Sequence, residues 1–153
     1  MAGSERGGGE MGKDKLSLVE RIRDIRERVK ERALQIEKQG RNTDQSNQVD
    51  NNLGILIQFI EENKLPPEVA EKISGLLEEY EKIQEQIKKS LVKEQAIEQE
   101  LEERGFRFLK FHDPVKVDWR NRHERNREEI YGHDRLLKRI EGALAEIAKE
   151  LVP

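Results

Sequence analysis

The chain has no cysteine, which excludes disulfide bonds and thiolate chemistry, catalytic or metal-binding. Aromatic residues make up only 5% and hydrophobic residues 34%. No run of about eighteen apolar residues occurs, so no helix spanning a bilayer, and no membrane partner, is expected. The N-terminus lacks the apolar core of a secretory signal, which points to a cytoplasmic or nuclear location. Neither sign of charge dominates, with 29 basic residues against 32 acidic ones. Bulk electrostatics therefore steers the chain neither towards nucleic acid nor away from it. Phosphate-binding Walker sequences, G-x-S-x-G elbows and H-E-x-x-H zinc motifs are all missing. No catalytic residue and no cofactor is assigned on this basis, and the protein reads as a non-enzyme.

Charge is plentiful, at 40% of 153 residues. A compact globule carries fewer charges and more apolar side chains. High charge combined with apolar residues at steps of three and four favours long helices that bury narrow seams. The longest such stretch is 67–104, where Val69, Ile73, Leu76, Tyr80, Ile83, Ile87, Ile97 and Leu101 follow the seam spacing. One helix of that length would measure on the order of 57 Å at 1.5 Å per residue. Pro66-Pro67 marks its start and Gly105 its stop. Ser90 and Glu94 interrupt the seam with polar side chains.

Residues 1–15 are rich in glycine and charge and are expected to form a disordered tail. A first helix is expected over about 16–39, with Leu18, Ile22, Ile25, Val29 and Ile36 on one stripe and Arg32 intruding at a seam position. Its flanks alternate in sign, which suits a solvated face beside a partner helix rather than a phosphate-binding surface. Gly40 to Gln48 reads as a loop. A short helix over about 49–63 is the most apolar segment and must be wrapped by other helices. A final helix is expected over about 118–151, opened by Asp118 as N-cap. Trp119, His123, Asn126, Ile130, His133, Leu137, Ile140, Leu144, Ile147 and Leu151 keep the three–four spacing along it.

Folding the two long helices back on each other sets polar seam against polar seam. Glu94 then falls near His123, Asn126 or Arg127, where an acid and a base relieve each other. The expected fold is all-α: an elongated antiparallel helical hairpin or coiled coil, thickened to a bundle by two N-terminal helices, in one domain over 16–153. Between the long helices, Phe106, Phe108, Val115 and Val117 alternate as a strand does and Pro114 blocks a helix, so a short extended elbow is expected.

All of the chain's aromatic residues except Phe59 and Tyr80 fall between Phe106 and Tyr131. Aromatics interleaved with arginine are typical of interface hot spots. Phe106, Phe108, Phe111, Trp119, Arg120 and Tyr131 are therefore the candidate partner-binding residues; the alternative is a small core that closes the hairpin.

RGFRFLKF, from Arg104 to Phe111, resembles the RNP1 strand of RNA-recognition motifs in seven of eight positions, with Arg107 where that family has Gly or Ala. The resemblance implies base-stacking by Phe106 and Phe108 and a phosphate contact from Arg104. Helical segments stand where that family has its flanking strand and helix. The run Arg120 to Arg127, ahead of a seam helix, resembles the layout of basic-zipper DNA-binding proteins, but it holds Glu124 and is followed by Glu128 and Glu129. The helix–elbow–helix order is similar to that of a prefoldin subunit, which implies a holdase-like chaperone. None of the three histidines follows a Glu by three residues, so the paired ligands of di-iron bundles are absent and no metal is expected.

The expectation that follows is a scaffold or adaptor subunit of a larger assembly. It would bind other protein subunits, or itself, through its helical seams and the aromatic elbow. Nucleic-acid binding and a prefoldin-like holdase are the alternatives.

Overall fold

A computed structural model shows four α-helices and one 3-10 turn, with no strand among the described residues: α1 (Ala2–Lys38), α2 (Asp44–Glu61), α3 (Pro67–Glu103), the turn Phe106–Phe108, and α4 (Pro114–Leu151). Side chains are described from Ser17 onward, and the disordered tail expected over residues 1–15 lies outside the described residues. The protein is an all-α helical bundle. The chain divides into two compact units, Met1–Glu78 with Ile140–Pro153, and Glu79–Arg139.

In the first unit α1 and α2 lie side by side. Ile22, Ile25 and Val29 of α1, Leu53, Leu56, Ile57 and Ile60 of α2, Ile73 and Leu77 of α3, and Leu144, Ile147 and Ala148 of α4 form its buried interior. The short apolar helix is thus wrapped as its composition requires. At Gly54 the close approach explains the glycine, because a Cβ there would meet the Arg26 guanidinium at 2.9 Å. Arg26 is held in that place by Asp50, with Nε 2.8 Å from Oδ1.

Helix ends follow local chemistry. Gly40 takes a left-handed φ of 73°, and Arg41 N–H returns to Ile36 C=O at 3.1 Å, closing α1 with a Schellman turn. Asn63 does the same for α2, with φ 56° and Lys64 N–H donating to Phe59 C=O at 2.9 Å. α2 starts at Asp44, five residues before the expected boundary. Of the polar stretch 40–48 read as loop, 40–43 lie outside any helix and 44–48 form the start of α2. Asn42 Oδ1 accepts from Asp44 N–H at 2.8 Å, and Asp44 places an acid in the first turn, where the helix dipole favours one.

In the second unit α3 and α4 run antiparallel, and their polar seams meet. Trp119 Nε1–H donates to Ile97 C=O at 2.6 Å, and Asn126 Nδ2–H donates to Ser90 C=O at 2.9 Å. Between these rungs, Glu94 meets both His123 and Asn126, as the seam pattern requires, with His123 Nε2 2.5 Å from Oε1 and Asn126 Nδ2 2.9 Å from Oε2.

The extended elbow is a correction. Phe106–Phe108 is a 3-10 turn, and Val115 and Val117 belong to α4, which begins at Pro114 rather than near Asp118. Proline is excluded from helix interiors but suits the first helical position, where its missing N–H removes nothing. Asp113, not Asp118, is the N-cap: its Oδ1 accepts from Val115 N–H at 2.9 Å. The β element on which the prefoldin likeness rested is therefore absent here.

Candidate partner-binding turn

The segment from Arg104 to Arg120 reverses the chain within the second unit. Gly105, with φ 67°, ends α3 in the left-handed conformation that glycine adopts without strain. The 3-10 turn follows, with Phe108 N–H donating to Gly105 C=O at 3.1 Å and Leu109 N–H to Phe106 C=O at 3.2 Å. A second turn, with Asp113 N–H on Lys110 C=O at 3.0 Å, leads into the α4 cap.

Alternation in this segment has a purpose other than strand formation. Phe106 turns inward and forms a small core with Ile97 and Trp119, flanked by Leu101 and Leu109. Phe108 turns outward and is 89% exposed, and Phe111 is 64% exposed. Cations from the first turns of α4 reach back to the loop carbonyls. Lys116 Nζ donates to Leu109 C=O at 3.1 Å, and Arg120 Nη2 donates to Phe111 C=O at 2.9 Å. The Arg120 guanidinium also lies over the Phe111 ring, 3.7 Å from its centroid, a cation–π contact. At the far side Arg107 pairs with Glu102.

Of the six sequence-derived candidates, the structure brings five to this turn and divides them. Phe106 and Trp119 are buried within the chain, because they fill the end of the α3–α4 pairing, and are not available as surface anchors. Phe108 and Phe111 remain on the outside with Arg120 beside them. Tyr131 is exposed but lies elsewhere, along a cleft it shares with Glu94 and His123; Arg127 Nη2 approaches its hydroxyl at 3.2 Å.

Arg122, missed by sequence reading, ties the two helices behind the turn. Its Nη2 is 2.8 Å from Glu100 Oε2 and its Nε 3.0 Å from Asp118 Oδ2. The hydrogen bond from Arg122 holds the Glu100 carboxyl below its ordinary range, and the same bond raises Arg122. Metal-type donors also converge in this unit: ligand atoms of Glu94, Glu98 and His123 lie within 4.8 Å of one another. The Glu-x-x-His test applied to the sequence could not find them, since the two acids and the imidazole come from different helices. No helix among the described residues is long and apolar enough to cross a membrane.

No family model matches the chain, and no curated protein or solved structure matches it at a significant level.

Proposed function

We propose that this protein is a non-enzymatic helical adaptor that docks a protein partner on the turn between α3 and α4, with Phe108 and Phe111 as the anchors. The observation that carries this reading is the exposure of these two rings, 89% and 64%, on a backbone held by its own hydrogen bonds. An exposed ring gains about 1.5–3 kcal/mol when a partner buries it. Arg107 and Lys110 neighbour the two rings in sequence and the Arg120 guanidinium lies over Phe111, so the complementary surface is an apolar pocket with an acidic rim.

The test is co-purification of the full chain from its native source, wild type against the F108S/F111S double variant. Support is a complex of fixed stoichiometry that is lost in the variant while its circular dichroism and melting curve stay unchanged. An unchanged complex overturns the role of the turn. Steeply salt-dependent binding of RNA or DNA, abolished by the same variant, would favour the nucleic-acid reading instead.

A further inference from the structure

On the cleft side of the α3–α4 pairing, Glu94 and Glu98 stand one helical turn apart and face His123 from the opposite helix. From the geometry we infer a three-ligand site for a divalent transition-metal ion, best matched to zinc, formed by the carboxylates of Glu94 and Glu98 and the imidazole of His123. Ligand atoms of all three already lie within 4.8 Å of one another. Two carboxylates and one imidazole offset the charge of a dication and leave a fourth tetrahedral position open to water. The imidazole nitrogen favours zinc over magnesium or calcium, which take oxygen donors.

Three further observations point to a cation. First, Glu94 Oε1 is closed off from solvent and accepts no hydrogen bond. Its close polar neighbour is His123 Nε2 at 2.5 Å, a contact that attracts only when a positive charge or a proton is shared there. Separating the two atoms by just under about 1 Å gives the spacing of two donors around a tetrahedral zinc ion. Second, both of these ligands are oriented by outer neighbours, as ligands of metal sites are. Asn126 Nδ2 holds Glu94 Oε2 at 2.9 Å, which leaves Oε1 turned to His123. Trp119 stacks on the His123 ring at 5.0 Å and 12°. Third, access exists: the three residues line an open cleft of ≈ 390 Å³. Arg127 lines the same cleft, and its guanidinium is turned to Tyr131, with Nη2 3.2 Å from the hydroxyl. Glu98 makes no hydrogen bond or ion pair with any described residue and is exposed, so it is free to swing onto an ion.

The chain contains a single tryptophan, and it is the one stacked on the candidate ligand, so its fluorescence reports on the site. The full chain, stripped with a chelator, is titrated with cobalt(II) and then challenged with zinc(II). The expected result is Trp119 quenching that saturates at one cobalt per chain, visible absorption of a low-coordinate cobalt ion, and reversal of both by zinc. E98Q and H123Q should each weaken binding at least about tenfold, while H112Q and H133Q match wild type. Zinc should raise the melting temperature of wild type and not that of E98Q. E98Q alters an exposed side chain that makes no hydrogen bond or ion pair with a described residue, so it keeps the test decisive if H123Q loosens the hairpin. A titration that fails to saturate at one equivalent, or E98Q binding as wild type does, overturns the site.

Discussion

Arg32 and Glu141 meet in a two-pronged ion pair, with Nη1 2.5 Å from Oε1 and Nη2 3.1 Å from Oε2. Glu141 is only 2% exposed, and this guanidinium lies against both of its carboxylate oxygens. Removing one partner of such a pair leaves a buried charge, which destabilises by about 3–5 kcal/mol in fully buried cases. The Arg32 side chain is 25% exposed, which lets water take up part of the deficit. R32A should therefore lower stability by about 2–3 kcal/mol, read by urea denaturation. The double variant R32L/E141L, which removes both charges, should recover most of that loss.

Glycines inside the helices separate by what surrounds them. Gly75 and Gly142 have nothing within 4 Å of a built Cβ, so G75A and G142A should each stabilise the protein by about 0.5–1 kcal/mol through helix propensity. G54A gains the same propensity but drives a methyl into Arg26 at 2.9 Å, and Arg26 is tethered to Asp50. Thermal melts should show G54A gaining clearly less than the other two, with the difference shrinking in a D50A background.

The two faces of the turn should separate packing from binding. F106A and W119A remove buried rings and should destabilise by about 3–5 kcal/mol. F108S should leave the melting temperature within experimental error. Equal losses in all three would mean that Phe108 is not an outside residue.

Asp113 supplies the α4 cap through Oδ1, so D113A should destabilise by about 1 kcal/mol. D118A removes only an exposed i,i+4 partner of Arg122 and should be nearly silent. The pair distinguishes a helix beginning at Pro114 from one beginning four residues later.

Glu100 gives a pH signature. Its folded carboxyl lies below the ordinary range, chiefly through the Arg122 hydrogen bond. A depressed acid contributes stability that is present above its unfolded value, near about 4.3, and lost as pH falls through the folded one. R122Q should return the Glu100 titration to the ordinary range in a carboxylate NMR titration. Both groups are partly solvated, so the shift should shrink in high salt.

Much of this architecture is legible in the spacing of apolar residues. That spacing foretold α3 to within a residue, buried Ile73, Tyr80, Ile83 and Ile97 on one side, and set Glu94 against His123 and Asn126. It misplaced the starts of α2 and α4, because a solvated first turn such as Asp44 to Gln48 carries no apolar signal and because proline reads as a breaker until its cap is recognised. The alternation at Phe106 and Phe108 looked like a strand since a 3-10 turn also sends near neighbours to different sides. The Arg122–Glu100 pair and the addition of Glu98 to Glu94 and His123 were out of reach, because they depend on which way side chains off the apolar stripe turn, which the spacing of apolar residues does not specify.

The carbonyls of the turn are clamped from α4 by Lys116 and Arg120, and Phe106 nails its inner side to Trp119. A molecule arriving at Phe108 and Phe111 thus meets a surface that is already set. Little freedom is surrendered on association, which favours tight complexes from a small footprint, and the encounter needs no rearrangement that would slow it.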